Sequence, residues 1–153
     1  MTMHFHRDHV IKADSNDVWA VLGRFMHIDE FAPEIASVDA LTTGDDQVGS
    51  RRRCTFKNGG DIVEEVTEWK EGRGYRVRLS ETDPMPLKEG FADIRLEPAG
   101  AGQTRVVWGM DFSLKYGPIG WLMGQLMMKP MMGKVLNANL KGLEDRVLAA
   151  KAA

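Results

Sequence analysis

The sequence predicts an α+β fold, in which a curved antiparallel sheet of about seven strands wraps round one long C-terminal helix, with two short helices after the first strand. Three observations carry this. The middle of the chain alternates apolar and polar residues with a period of two between glycine-rich turns. After Gly117 the apolar period becomes helical. Only one long apolar helix is available to cover the sheet's greasy face, so the sheet must curl round it.

The opening strand runs from His4 to Lys12. Asp14 or Ser15 then supplies an N-cap, and Val18, Trp19, Val21 and Leu22 form the apolar stripe of a short helix. A second helical turn around His27 to Phe31 stops at Ala32–Pro33. Hairpins are expected at Lys57-Asn58-Gly59-Gly60, Glu71-Gly72-Arg73-Gly74 and Pro98-Ala99-Gly100-Ala101-Gly102, with a longer loop at Asp83-Pro84-Met85-Pro86. Tyr75, Val77 and Leu79 share one strand face. Ala92, Ile94 and Leu96 share another, as do Val106, Trp108, Met110 and Phe112. The last helix is expected from Pro118 to Ala149. Its stripe begins with Ile119, Leu122, Met123, Leu126 and Met127 and continues through Leu136, Leu140, Leu143 and Val147. Pro130 should kink it, because the carbonyl of Leu126 loses its partner.

At 153 residues the chain suits one domain spanning residues 1–153. A formal charge of −2 supplies no basic field to gather nucleic acid, and the run Arg51-Arg52-Arg53 must split between two strand faces. One cysteine, Cys54, excludes an intrachain disulfide and favours a cytoplasmic protein. The N-terminus has no apolar signal core. The stretch from Gly117 to Leu136 approaches a membrane span in length, but Lys129, Pro130 and Lys134 interrupt it. A buried or partly exposed core helix is predicted there instead.

The Asn58-Gly59 dipeptide predicts a two-residue turn, which sets Phe56 opposite Asp61, Cys54 opposite Val63 and Arg52 opposite Glu65. That register places Arg52 and Glu65 on the inner face as an ion pair, serving either as a polar anchor or acid/base for a ligand or as a structural brace. Tyr75 is the third catalytic candidate. Cys54, Trp69, Val77, Trp108, Met110 and Phe112 from the sheet, with Met123, Met127 and Met131 from the helix, are the expected lining of a cavity. Cys54 reads as a small buried hydrophobe, since no histidine lies close in sequence to activate it. His4 and His6 have the spacing of a metal pair, but no carboxylate ligands accompany them. No metal and no cofactor are predicted, and the histidines read as strand surface. His27 is a lesser candidate for the cavity mouth.

Four segments resemble one family. Ile11-Lys12-Ala13-Asp14, running on to Val18-Trp19, resembles the opening of the polyketide cyclase/dehydrase-like proteins of the START and birch-pollen-allergen superfamily. Val48-Gly49-Ser50-Arg51 resembles that family's entry to its third strand. Glu64-Glu65-Val66-Thr67-Glu68-Trp69, followed by Tyr75-Arg76-Val77, resembles its central hairpin. Gly102-Gln103-Thr104-Arg105-Val106-Val107-Trp108 resembles its last strand. The resemblance runs almost end to end and implies a helix-grip fold with a deep cavity. It implies no single reaction, because fold does not fix function. The expected function is binding of a small hydrophobic or aromatic molecule. The alternatives are a cyclase/dehydratase-type enzyme acting through Glu65, Arg52 and Tyr75, and a lipid chaperone or partner-binding protein docking through the Met-rich helix. The expected partner is a small hydrophobic ligand, with no nucleic acid and no stable membrane span; a homodimer is left open.

Overall fold

A computed structural model describes residues 2–43, 47–83 and 86–153; the expected loop at Pro84 and Met85 lies outside these. Strand β1 (Met3–Ile11) is followed by helix α1 (Ser15–Leu22) and a 3-10 helix (Phe25–Glu30). Strands β2 (Ile35–Ala40), β3 (Arg51–Phe56), β4 (Asp61–Lys70), β5 (Gly74–Asp83), β6 (Leu87–Pro98) and β7 (Thr104–Leu114) come next. The chain ends in α2 (Gly117–Met123), a π-helical turn (Gly124–Met128) and α3 (Lys129–Ala152), one continuous rod. The sheet has seven strands in the order β1-β7-β6-β5-β4-β3-β2, and every pairing is antiparallel. This is the helix-grip architecture.

The local signals explain the elements. The Asp14 carboxylate caps α1 by accepting from the Asp17 N–H at 3.3 Å. The 3-10 helix ends just before Pro33, which has no N–H to continue it. The core joins Val106, Trp108 and Met110 of β7 to Leu136, Leu140 and Leu143 of α3, so the predicted face of β7 turns inward. Phe112 belongs to a smaller cluster with Met3, Leu114 and Met128.

The β3–β4 register differs from the expectation by one residue. The β3–β4 loop has three residues, not two: Phe56 pairs with Gly60, and the Gly59 N–H donates to the Phe56 carbonyl at 3.0 Å. Gly59 takes φ +95, and the Asn58 side chain accepts from the Gly60 N–H at 3.0 Å. This is a type I turn followed by a left-handed glycine, for which Asn-Gly is as well suited as for the shorter turn. Arg52 therefore faces Glu64, Cys54 faces Ile62, and Arg51 faces Glu65. A bulge at Thr67 then restores the expected pairing of Trp69 with Tyr75. A one-residue slip exchanges faces. Glu65 accordingly leaves the interior and meets Arg78 at 3.2 Å and Arg51 at 3.5 Å on the outer surface.

Helical backbone continues through Pro130. The π turn just before it absorbs the lost hydrogen bond, with the Lys129 N–H reaching the Gly124 carbonyl. The first part of the rod is also reversed relative to its apolar stripe. Gly120, Gly124 and Met128 face the body, while Ile119, Leu122, Leu126 and Met127 face out. Closeness is the cause. A Cβ on Gly120 would lie 2.0 Å from the Lys115 carbonyl oxygen, and one on Gly124 would lie 2.2 Å from the Met3 methyl. At Gly120 the neighbour is rigid backbone and only glycine allows the approach; at Gly124 it is the end of the Met3 side chain, which a larger residue would have to displace.

A comparable contact fixes the far part of α3. A Cβ on Gly142 would lie 2.0 Å from the Phe31 carbonyl oxygen, a rigid backbone atom. Gly142→Ala should gain about 1 kcal/mol of helix propensity. It should lose about 1–3 kcal/mol or more by forcing α3 off the loop after the 3-10 helix. The net expectation is destabilisation, read as a lower urea midpoint; a rise in the midpoint would refute the close approach.

Candidate functional site: an apolar cavity with a buried charge pair

Between the concave sheet and α3 lies a cavity of about 550 Å³. Its floor is Leu79, Ala92, Trp108, Met110 and Phe112, and its roof is Met128, Met131, Met132, Val135 and Leu136. The β3–β4 hairpin closes one side with Phe56, Asn58, Asp61 and Ile62. The exposed residues Glu34, Asn58 and Lys134 sit where the cavity opens to solvent. The volume suits a small organic ligand.

Besides the polar residues of the mouth and the hairpin, Glu64 and Asn139 reach this apolar space. Glu64, brought inside by the three-residue turn, presents its carboxylate to the cavity. Behind it lies Arg52, which is only 1 % exposed. The Arg52 Nε donates to Glu64 Oε2 at 2.6 Å, and its Nη2 meets the same oxygen. Its Nη1 donates to the Phe25 carbonyl, and the guanidinium lies 3.9 Å from the centre of the Phe25 ring. Burial opposes the charge on Arg52, but the adjacent Glu64 carboxylate outweighs it and holds the guanidinium protonated well above its ordinary range. Each of the bonds to Glu64 is made to Oε2, and its Oε1 makes none among the described residues.

The second polar group is Asn139, on the inward face of α3 between Leu136 and Leu143. It lines the cavity and is 7 % exposed. Its Oδ1 is buried with no hydrogen-bond partner among the described residues. A buried acceptor left unpaired is costly, by about 1–3 kcal/mol.

Several residues singled out from the sequence lie elsewhere. Glu65 is on the outer face, as described. Arg52 and Tyr75 are inside but stand behind the cavity wall. Tyr75 stacks on Trp69 at 5.3 Å and meets Phe25 edge-on at 5.7 Å, which plugs one end of the grip. Burial pushes its hydroxyl up to about 12. Trp69 and Trp19 are tied to this plug by Glu71, whose two oxygens accept from the indole N–H groups at 2.8 and 2.9 Å. Val77 and Cys54 are core residues outside the cavity lining. Cys54 is buried beside Glu64, and burial with that neighbouring negative charge pushes its thiol up to about 12, so it stays neutral near neutral pH. Met123 and Met127 do not line the cavity, because the glycines occupy the inner face of their helix; Met128, Met131 and Met132 do. Trp108, Met110, Phe112 and Met131 are at the cavity.

The histidines of β1 divide. His4 and His6 stand on the outer face, where His4 meets Asp111 at 2.5 Å. His9 reaches Glu144 of α3 at 2.9 Å. His27 lies 3.8 Å from Glu30, away from the cavity. No cluster of three metal-binding side chains exists among the described residues. Nor is any described helix long and apolar enough to cross a membrane.

Neither Glu64 nor Asn139 is among the site residues expected from the sequence. Asn139 was legible, since the 136-140-143-147 periodicity puts an amide on the buried face of α3. Glu64 was hidden by the ambiguity of the Asn-Gly turn.

The fold recurs among solved structures. The aromatase/cyclase Zhui from Streptomyces sp. R1128 superposes with a TM-score of 0.82 at 16% identity, covering 96% of this chain and 94% of its own. A START superfamily protein from Mycobacterium smegmatis gives 0.78 at 19% identity, covering 96% and 98%. Norcoclaurine synthase from Thalictrum flavum, in complex with dopamine and hydroxybenzaldehyde, gives 0.73 at 17% identity, covering 97% and 88%. No functionally curated protein matches the sequence. The family model described as "Polyketide cyclase / dehydrase and lipid transport" matches residues 2–148, nearly the whole chain. With the seven-stranded grip and its cavity, that match shows that the chain belongs to the polyketide cyclase/dehydrase and lipid transport family.

Proposed function

We propose that the protein binds a small aromatic or amphipathic molecule bearing a hydroxyl or amine donor, held in the cavity between the sheet and α3. The observation that carries this reading is a buried acceptor without a partner among the described residues, Asn139 Oδ1, lining a largely apolar cavity to which Glu64 also presents its carboxylate. A donor-bearing ligand would pair Asn139 Oδ1 and could also donate to Glu64, while its apolar body replaces water against Trp108, Met110 and Leu136. Anionic ligands fit poorly. The cavity and its mouth carry three carboxylates, on Glu34, Asp61 and Glu64, against one ammonium, on Lys134.

A neutral fluorescent probe such as N-phenylnaphthylamine tests this. It is expected to bind the folded protein and to be displaced by naphthol about tenfold better than by methoxynaphthalene, which lacks the donor, since a hydrogen bond to a charged acceptor contributes about 1.5–3 kcal/mol. Glu64→Gln should reduce that preference, and Asn139→Leu should reduce it again while the probe still binds. No probe binding at all would remove the reading. Equal displacement by the two competitors would leave an apolar pocket without the donor requirement.

A second reading, an enzyme of the cyclase/dehydratase type, is favoured by one feature. The Glu64 carboxylate faces the cavity, as a general base would have to, and Arg52 holds it in place. Glu64→Gln would then abolish turnover while leaving substrate affinity within a few-fold.

A further inference from the structure

The start of the C-terminal rod carries its large apolar side chains on the wrong side for a core helix. Ile119 is 73% exposed, Leu126 69%, Met127 65% and Leu122 52%, whereas Gly120 and Gly124 are turned to the body. Tyr116, 68% exposed, and Trp121 border the same face. Exposed apolar groups arranged contiguously along one helix mark a surface that is covered when the protein works.

The charges say by what. Between Asp111 and Glu144 the chain has no acidic residue, while Lys115, Lys129, Lys134 and Lys141 fall in this stretch. Lys141 is engaged by Glu144 and Asp145; the other three make no ion pair among the described residues. An apolar helical face with bordering aromatics and unpaired lysines is the composition of a helix lying in the plane of an anionic membrane surface. At 1.5 Å per residue the face from Ile119 to Met131 is about 18 Å long, enough to lie in the interface and too short to span it. A second copy fits less well. A two-fold contact through this face would bring the lysines of both chains together with no carboxylate from this stretch between them.

We propose that this face, from Tyr116 to Met131, docks the protein on anionic lipid bilayers, with Ile119, Leu122, Leu126 and Met127 entering the headgroup–acyl boundary and the lysines meeting the lipid phosphates. Met128 and Met131 of the same segment roof the cavity, so the docking face adjoins the roof of the pocket. Membrane contact through this face does not depend on which ligand the cavity takes.

Vesicle sedimentation provides the test. The full chain is expected to bind mixed phosphatidylcholine–phosphatidylglycerol vesicles and to bind pure phosphatidylcholine at least tenfold more weakly, with binding to the mixed vesicles falling as salt rises. Leu122→Glu/Leu126→Glu, at exposed positions that leave the core intact, should reduce binding to the mixed vesicles at least tenfold. Lys115→Ala and Lys129→Ala should each reduce it about fivefold. Circular dichroism of each variant must match the parent. Absence of binding to the mixed vesicles, or binding unchanged in the leucine variant, overturns the proposal. So does a stable dimer, seen by analytical ultracentrifugation, that the leucine variant dissociates, because the face is then occupied by a second copy.

Discussion

Replacing Arg52 with methionine is expected to lower the unfolding free energy by about 3–5 kcal/mol, the usual loss when one member of a buried pair is removed. The reason lies in what remains. Glu64 would keep a carboxylate at the cavity wall with no counter-charge, and the Phe25 carbonyl would lose its donor. Arg52→Met/Glu64→Leu should recover most of that stability, because replacing both charges by apolar groups of similar volume is often close to neutral. Urea unfolding at neutral pH reads both. A double variant no more stable than the single one would show that Glu64 is not the group Arg52 balances. The double variant should also bind N-phenylnaphthylamine while losing much of the preference for naphthol. If that preference survives intact, Glu64 is a brace and Asn139 alone faces the ligand.

Phe25→Ala is expected to cost a further about 3–5 kcal/mol when made alone, since a fully buried ring leaves a void that the surrounding core cannot close. Phe25 is 0% exposed, lies against the Arg52 guanidinium and meets Tyr75 edge-on. Its ring and its carbonyl therefore serve the same guanidinium from two directions. Phe25→Ala and Arg52→Met should not add: a coupling of about 0.5–3 kcal/mol is expected in the double-mutant cycle. Strict additivity would mean that the 3-10 helix and β3 are held by unrelated contacts. The cycle also bears on the cavity, because the same guanidinium that grips Phe25 orients Glu64.

The elements of this fold were legible because they depend on local patterns. Alternation in β7 sends Val106, Trp108 and Met110 inward whatever the neighbours are, and Asp14 caps α1 through its own carboxylate. The site was less legible because it depends on parity. Asn58-Gly59 serves two turns that differ by one residue, and that residue decides whether Glu64 or Glu65 enters the cavity. The bulge at Thr67 hides the difference, since Trp69 and Tyr75 pair as expected on either route.

The sequence by itself determined the grip: seven strands' worth of alternation, one long helix to be wrapped, and an arginine that must enter the interior. It also determined a helix rich in methionine and leucine, but not which way that helix turns. Only the tertiary structure decided that, because Gly120 permits an approach to the Lys115 carbonyl that no larger residue allows, and Gly124 packs directly on the Met3 side chain. The helix therefore packs by its smallest residues and presents Ile119, Leu122 and Leu126 outward. Periodicity groups the residues that share a face; the space available beneath the helix decides which face is buried.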